Sequence, residues 1–203
     1  MQLVSCPQVA RFMENSKRKY QAAILRSFRK IHRTTGAFLF IFFFVVSVTG
    51  LLLGWKKNSN NYLLPKTYQG ISTDLKGWLS MDSLHTLAVR YFKNSVSTTA
   101  SSKVERVDLR PEKGVAKFIF EAEYAGLQLD GVTGELLNID KRRSDFVENI
   151  HDGSILDNYF RTSGGQFKLF YTTLMGLALL LFTITGFWLW YGPKRMRAAS
   201  QKK

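Results

Sequence analysis

Two long runs with at most one charge each constrain this chain more than anything else in it. Ala37–Trp55 is nineteen residues with no Asp, Glu, Lys or Arg, and Phe167–Tyr191 is twenty-five residues with Lys168 alone. As α-helix the first run rises about 28 Å, enough for the hydrocarbon core of a bilayer. Inside hydrocarbon every backbone polar group must be satisfied within its own segment, so both runs are expected as transmembrane helices. Lys56-Lys57 stop the first and Pro193-Lys194-Arg195 the second, while Trp55, Trp188, Trp190 and Tyr191 suit the interfacial belts. Lys168 can snorkel to the outer interface. Neither run reads as a signal peptide: both are too long, and no small-residue cleavage site follows the first.

The charge is placed around these runs. The chain carries 29 Lys and Arg against 15 Asp and Glu, a net charge of +14. Residues 1–36 hold eight basic residues against Glu14 alone, and the tail after Tyr191 holds five and no acid. The stretch from Lys56 to Gln166 is nearly balanced, fifteen basic to fourteen acidic. An excess of cations just outside the spans is the positive-inside pattern, with both termini cytoplasmic and the middle on the outer side. A nucleic-acid binder needs a basic face on a folded domain, and the middle domain is nearly neutral, so no nucleic acid is expected as partner. Membrane lipid is expected instead. Tyr20, Ile24, Phe28 and Ile31 recur at helical spacing among cations over residues 16–33, which predicts an amphipathic helix on the inner surface among anionic head groups. The same cations serve equally as topology determinants. The one cysteine, Cys6, allows no disulfide framework and reads as a thiol without a role.

Five regions follow: a cytoplasmic basic amphipathic helix over 1–35, a transmembrane helix over 36–56, a domain on the outer side over 57–166, a second transmembrane helix over 167–191, and a basic cytoplasmic tail over 192–203. Within the middle domain, residues 62–77 carry Pro65, Gly70 and Gly77 and read as an irregular lead-in. Ser80–Phe92 reads as a capped helix with Leu84, Leu87, Ala88 and Tyr91 inward. Val104–Leu109 and Val115–Ala122 read as strands around a Pro111–Gly114 turn. The second alternates apolar residues with Lys117, Ile119 and Glu121, the pattern of a half-buried strand. Tyr124–Leu129 and Glu135–Ile139 flank Asp130-Gly131-Val132-Thr133-Gly134 as a hairpin. Asp145–Tyr159 reads as a helix, and Ser163-Gly164-Gly165 as a hinge into the membrane. The fold class is an α+β membrane protein: two transmembrane helices enclosing an α+β domain with an antiparallel sheet.

No nucleophile–base pair, phosphate loop, dinucleotide fingerprint or thiolate cluster is present. The chemistry-bearing residues are His32, His85 and His151, with the glycines of the spans. Imidazole is a usual axial ligand of b-type haem, and a macrocycle lies flat where side chains are small. The first span runs outward, so Gly50 and Gly54 lie at the depth of His151; the second runs inward, so Gly186 lies at the depth of His32. Glycines in spans also serve helix packing, and interfacial histidines also bond backbone or head groups, so both readings stand. Thr49-Gly50 and Thr185-Gly186 form a matched pair of dipeptides, whose hydroxyls can bond back to the helix. His32 and His151 are on opposite sides of a membrane about 30 Å thick and cannot share one iron, so two imidazoles per iron require a dimer or a partner protein. His85 reads as a surface residue without a role.

These residues resemble a known family. Phe28-x-x-Ile31-His32-Arg33-x-x-Gly36, entering a span that ends Val48-Thr49-Gly50-Leu51, resembles the first helix of PepSY-associated transmembrane proteins. Ile150-His151-Asp152-Gly153, then Gly165, Gly176, Ile184-Thr185-Gly186 and Trp190, is similar to that family's last helix and its lead-in. Leu129-Asp130-Gly131-Val132-Thr133-Gly134-Glu135 resembles the PepSY hairpin, with Gly131 where Pro is usual. The resemblance covers residues 28–57 and 78–193. It implies a PepSY-like domain between the spans and b-haem held by His32 and His151, with Gly36, Gly50 and Gly186 beside it. It also implies electrons passed to periplasmic ferric-siderophore, because larger relatives with four spans include inner-membrane reductases of iron uptake. This chain has two spans and no flavin or nicotinamide domain, so quinol or another protein must donate, and a homodimer would restore four spans. Two other functions are compatible: a non-enzymatic subunit or scaffold that binds a periplasmic partner or peptide, and a regulator of peptidases.

Overall fold

The computed structural model describes residues 7–160, 162 and 164–201. Cys6, Ser163 of the expected hinge, and Lys202 and Lys203 of the basic tail lie outside them. The chain divides into two compact units, Met1–Ser47 with Leu156–Lys203, and Val48–Ile155.

The first unit is built on two long helices, α1 (Pro7–Gly54) and α5 (Gln166–Gln201). Both are long and apolar enough to cross a bilayer. Two expectations change here. The amphipathic stretch 16–33 and the span are one unbroken helix through Gly36, not a surface helix joined to a span. A single glycine costs about 1 kcal/mol in a helix, too little to end one of this length. Likewise α5 does not end at Tyr191. It continues through Pro193 to Gln201, since one missing N–H is outweighed by the helix-forming residues after it. Leu25 packs at Gly192, His32 beside Thr185, and Phe182 at Gly36, so rising numbers on α1 meet falling numbers on α5 and the pair is antiparallel. Around these contacts Phe28 meets Trp188 at 6.2 Å and Phe43 meets Phe182 at 5.2 Å between ring centroids. Outward, Phe38, Phe40, Ile41, Phe44, Leu177 and Leu180 are exposed, the surface that hydrocarbon covers in a spanning helix.

The second unit holds the antiparallel sheet in the order β1-β2-β3-β4: β1 (Val104–Arg110), β2 (Val115–Phe120), β3 (Ala125–Asp130) and β4 (Leu136–Lys141). Helix α2 (Met81–Ser95) lies on one face. Ser80 caps it, accepting the N–H of Ser83 at 3.1 Å. Leu84, Ala88 and Phe92, four residues apart, bury against Ala116, Phe118, Phe120, Leu127 and Leu129. Phe92 stacks on Phe120 at 4.3 Å, and each such ring contributes about 2–3 kcal/mol by burial.

The other face differs from expectation. All six residues of β2 are buried, Lys117 and Ile119 included. The irregular lead-in runs along this face and satisfies its polar groups. Lys117 donates to the Thr67 hydroxyl at 2.6 Å, Gln128 donates to the Lys66 carbonyl at 2.8 Å, and the N–H of Tyr68 donates to Gln128 at 3.1 Å. Burial, with the nearby guanidinium groups of Arg142 and Arg110, pushes the Lys117 ammonium below its usual value. Tyr124, expected in β3, instead forms with Glu123 a two-residue turn in which both have positive φ, 62° and 51°. This is the hairpin geometry that asparagine and glycine usually supply. Here the Tyr124 ring packs edge-on against Phe146.

The expected helix over 145–159 is two helices, α3 (Arg143–His151) and α4 (Ser154–Phe160). Gly153 takes φ 79° between them, and Asp152 accepts the N–H of Ser154 at 2.9 Å to start α4. The break leaves His151 as the last residue of α3.

Candidate functional site

Each of the two histidines singled out above has found the same pair of neighbours. His32, on α1, places Nδ1 2.8 Å from the Thr185 hydroxyl on α5. A Cβ built on the adjacent Gly186 would lie 3.7 Å from His32 Cε1. His151, at the end of α3, places Nδ1 2.9 Å from the Thr49 hydroxyl near the end of α1. A Cβ on the adjacent Gly50 would lie 3.5 Å from His151 Cε1. The two clusters therefore share one construction: an imidazole edge on a Thr-Gly step of another helix, with the hydroxyl on Nδ1 and glycine beneath Cε1. Both threonines are buried, Thr49 at 7% exposure and Thr185 at 2%. Both rings are half-buried.

The Thr185 hydroxyl also donates to the Leu181 carbonyl at 2.7 Å. A hydroxyl has one proton, so toward His32 it accepts, and Nδ1 of His32 carries a hydrogen. In the neutral ring the lone pair is then on Nε2. Among the described residues both rings make their hydrogen bond through Nδ1. An imidazole with Nδ1 held by a neighbour and Nε2 open is the arrangement by which proteins present a metal ligand.

Position is fixed from behind. On α3, Asp145 accepts from Arg142 Nε at 2.8 Å and from Arg106 Nη2 of β1 at 2.8 Å, while the Ser144 hydroxyl donates to it at 3.0 Å. Burial alone would raise the Asp145 carboxyl, but the hydrogen bond and charge of Arg142 and the charge of Arg106 hold it below the usual carboxylate range. The helix that carries His151 is thereby tied to the sheet, and a bulge in β1 between Val104 and Arg106 lies where Arg106 reaches across. For His32 the backing is Phe182, whose ring centroid lies 4.4 Å from the imidazole.

Of the sequence candidates, His32 meets Gly186 and His151 meets Gly50. Gly36 has a different neighbour: a Cβ there would lie 2.9 Å from Phe182 Cζ, so its missing side chain makes room for that ring. Gly54 has nothing within 4 Å of a built Cβ. His85 is exposed on α2, with Phe118 6.3 Å away between centroids. Phe182 was not singled out in the sequence; its position three and four residues before Thr185 and Gly186, on their helix face, is the signal that marks it. Among the described residues no three His, Cys, Asp or Glu side chains gather as a metal cluster.

Comparison with curated proteins and with solved structures finds no match. The family model of the PepSY-associated TM region matches residues 29–203, taking in both histidine clusters and the sheet, and the chain belongs to that family.

Proposed function

We propose that this protein is a b-haem-binding redox protein of the bacterial inner membrane that passes electrons across the membrane to a periplasmic acceptor, with ferric-siderophore in iron uptake as the acceptor class. The observation that carries the reading is the repeated cluster: His32 with Thr185 and Gly186, and His151 with Thr49 and Gly50. The residues fit the group. A haem iron takes an imidazole nitrogen whose ring is oriented through its other nitrogen, and glycine leaves clearance beside the ring. When bound, haem supplies a one-electron couple. The chain's own residues do the rest: His32 and His151 offer Nε2, Thr185 and Thr49 hold Nδ1, and the apolar helices exclude water.

Along α1, His32 and Thr49 are seventeen residues apart, a rise of about 25 Å, which supports one haem toward each membrane face. The excess of cations outside both spans supports cytoplasmic termini and a periplasmic sheet domain. Since each cluster holds one histidine, a second copy of the chain or a membrane partner supplies the other axial ligand.

The test is the visible spectrum of the full chain purified in detergent from haem-replete cells, before and after dithionite. A Soret band with reduced b-type bands is expected, and His32→Ala and His151→Ala should each remove part of it. No Soret band would overturn the reading and leave the protein as a non-enzymatic PepSY subunit that binds a partner or peptide.

A further inference from the structure

We infer that Thr185 and Thr49 are positioning residues, each setting the tautomer of the histidine opposite so that Nε2 keeps its lone pair. In its purpose this rests on the haem reading above; its geometry does not. A free neutral histidine side chain favours the proton on Nε2, the form that cannot ligate through that atom. The Thr185 hydroxyl spends its proton on the Leu181 carbonyl and has only lone pairs to offer Nδ1 of His32. At 2.8 Å, and with Thr185 buried, a ring with Nδ1 bare would leave two lone pairs facing each other, so the Nδ1–H form is selected. Thr49 brings its hydroxyl to 2.9 Å from Nδ1 of His151 and is also buried, and a threonine inside a helix commonly bonds back to the carbonyl four residues earlier, so the same acceptor role is inferred for it. Two clusters on different elements repeat one device, which a chance packing contact does not explain. A methyl on the glycine after each threonine would touch Cε1 at ordinary contact distance, 3.5 Å at Gly50 and 3.7 Å at Gly186, so a side chain longer than alanine's is what would crowd the ring off the hydroxyl.

The chain has three histidines, and exposed His85 is a control within the same molecule. The full chain is prepared from haem-depleted cells with ¹⁵N-histidine and read in lipid nanodiscs by ¹⁵N–¹H correlation of the ring nitrogens. Nδ1–H signals are expected for His32 and His151, with ordinary Nε2–H for His85. Thr185→Val keeps the shape and removes the hydroxyl. It should abolish the Nδ1–H signal of His32, or speed its exchange about tenfold, the factor one ordinary hydrogen bond accounts for, while leaving His151 unchanged. Thr49→Val should do the reverse, and Thr185→Ser should restore His32. An Nε2–H signal from His32 or His151 in the unsubstituted protein overturns the inference for that residue without any variant. So does a Thr185→Val protein whose His32 is unaltered. Absence of a Soret band in the haem-replete protein, with these tautomers intact, would reject the haem reading alone.

Discussion

The carboxylate of Asp157, on α4, accepts the backbone N–H of Lys168 at 2.7 Å. It also accepts that of Phe167 at 3.0 Å and the hydroxyl of Thr162, so it satisfies the open N–H groups that start α5. Burial acts to raise this carboxyl. The Thr162 hydroxyl, the two N–H groups and the Lys168 ammonium outweigh it and hold the acid below its usual value. A carboxyl depressed in the folded state stabilises that state above its ordinary value, near pH 4, and ceases to do so as pH falls through the depressed one. Asp157→Asn should therefore lower the melting temperature in detergent at pH 7, and the gap to the parent protein should close toward pH 2. Equal melting at pH 7 would show that the cap contributes nothing.

Asp145 should behave more severely. Its carboxylate is the common acceptor for Arg142 and Arg106, and the Arg142 side chain is itself only 12% exposed. Asp145→Asn strands the Arg142 guanidinium, and removing one partner of a buried pair costs about 3 kcal/mol or more. The depressed carboxyl again gives stability above its ordinary value that is lost as pH falls. Because α3 carries His151, the loss should be local first. Amide hydrogen exchange in residues 143–151 should quicken more than in α2, and replacing Arg106 by Lys should do less. Uniform exchange across both helices would mean that Asp145 does not hold α3 in particular.

The two spans, the α2 cap and the four strands were legible because each follows from a short-range rule. Hydrocarbon forbids unpaired backbone, a serine before an apolar repeat caps a helix, and glycine turns separate alternating runs. The histidine clusters were half legible. Direction along the spans put Gly186 level with His32 and Gly50 level with His151, and the Thr-Gly pairs could be seen. Which atom each hydroxyl meets depends on helix rotation, and that is set by contacts such as Phe182 on Gly36. Lys117 looked solvent-facing because alternation cannot know that an irregular segment covers the second face of the sheet. Gly131, where the family usually has proline, has a reason visible only in three dimensions. A Cβ there would lie 2.3 Å from the Trp78 ring, and its N–H donates to the Gly114 carbonyl at 2.9 Å, a bond proline cannot make.

The glycines of the helix pair divide into two kinds, and substitution separates them. At Gly36 an added methyl would sit 2.9 Å from Phe182 Cζ, and that ring is hemmed by His32 at 4.4 Å and Phe43 at 5.2 Å. Gly36→Ala should thus force the ring aside and destabilise the helix pair by about 1–3 kcal/mol, the usual range for overpacking. At Gly50 and Gly186 the methyl would meet imidazole Cε1 at 3.5 and 3.7 Å, ordinary contact distances. Gly50→Ala and Gly186→Ala should melt at or somewhat above the parent protein, since a helical glycine costs about 1 kcal/mol relative to alanine, while Gly50→Leu and Gly186→Leu should push His151 and His32 off their threonines. Melting in detergent and the visible spectrum, recorded on all five variants, check this. The expected pattern is a lowered melting point for Gly36→Ala and altered histidine-dependent bands for the two leucine variants. A Gly50→Leu or Gly186→Leu protein with an unchanged spectrum would show that the glycine at that site is there for helix packing and not for the imidazole.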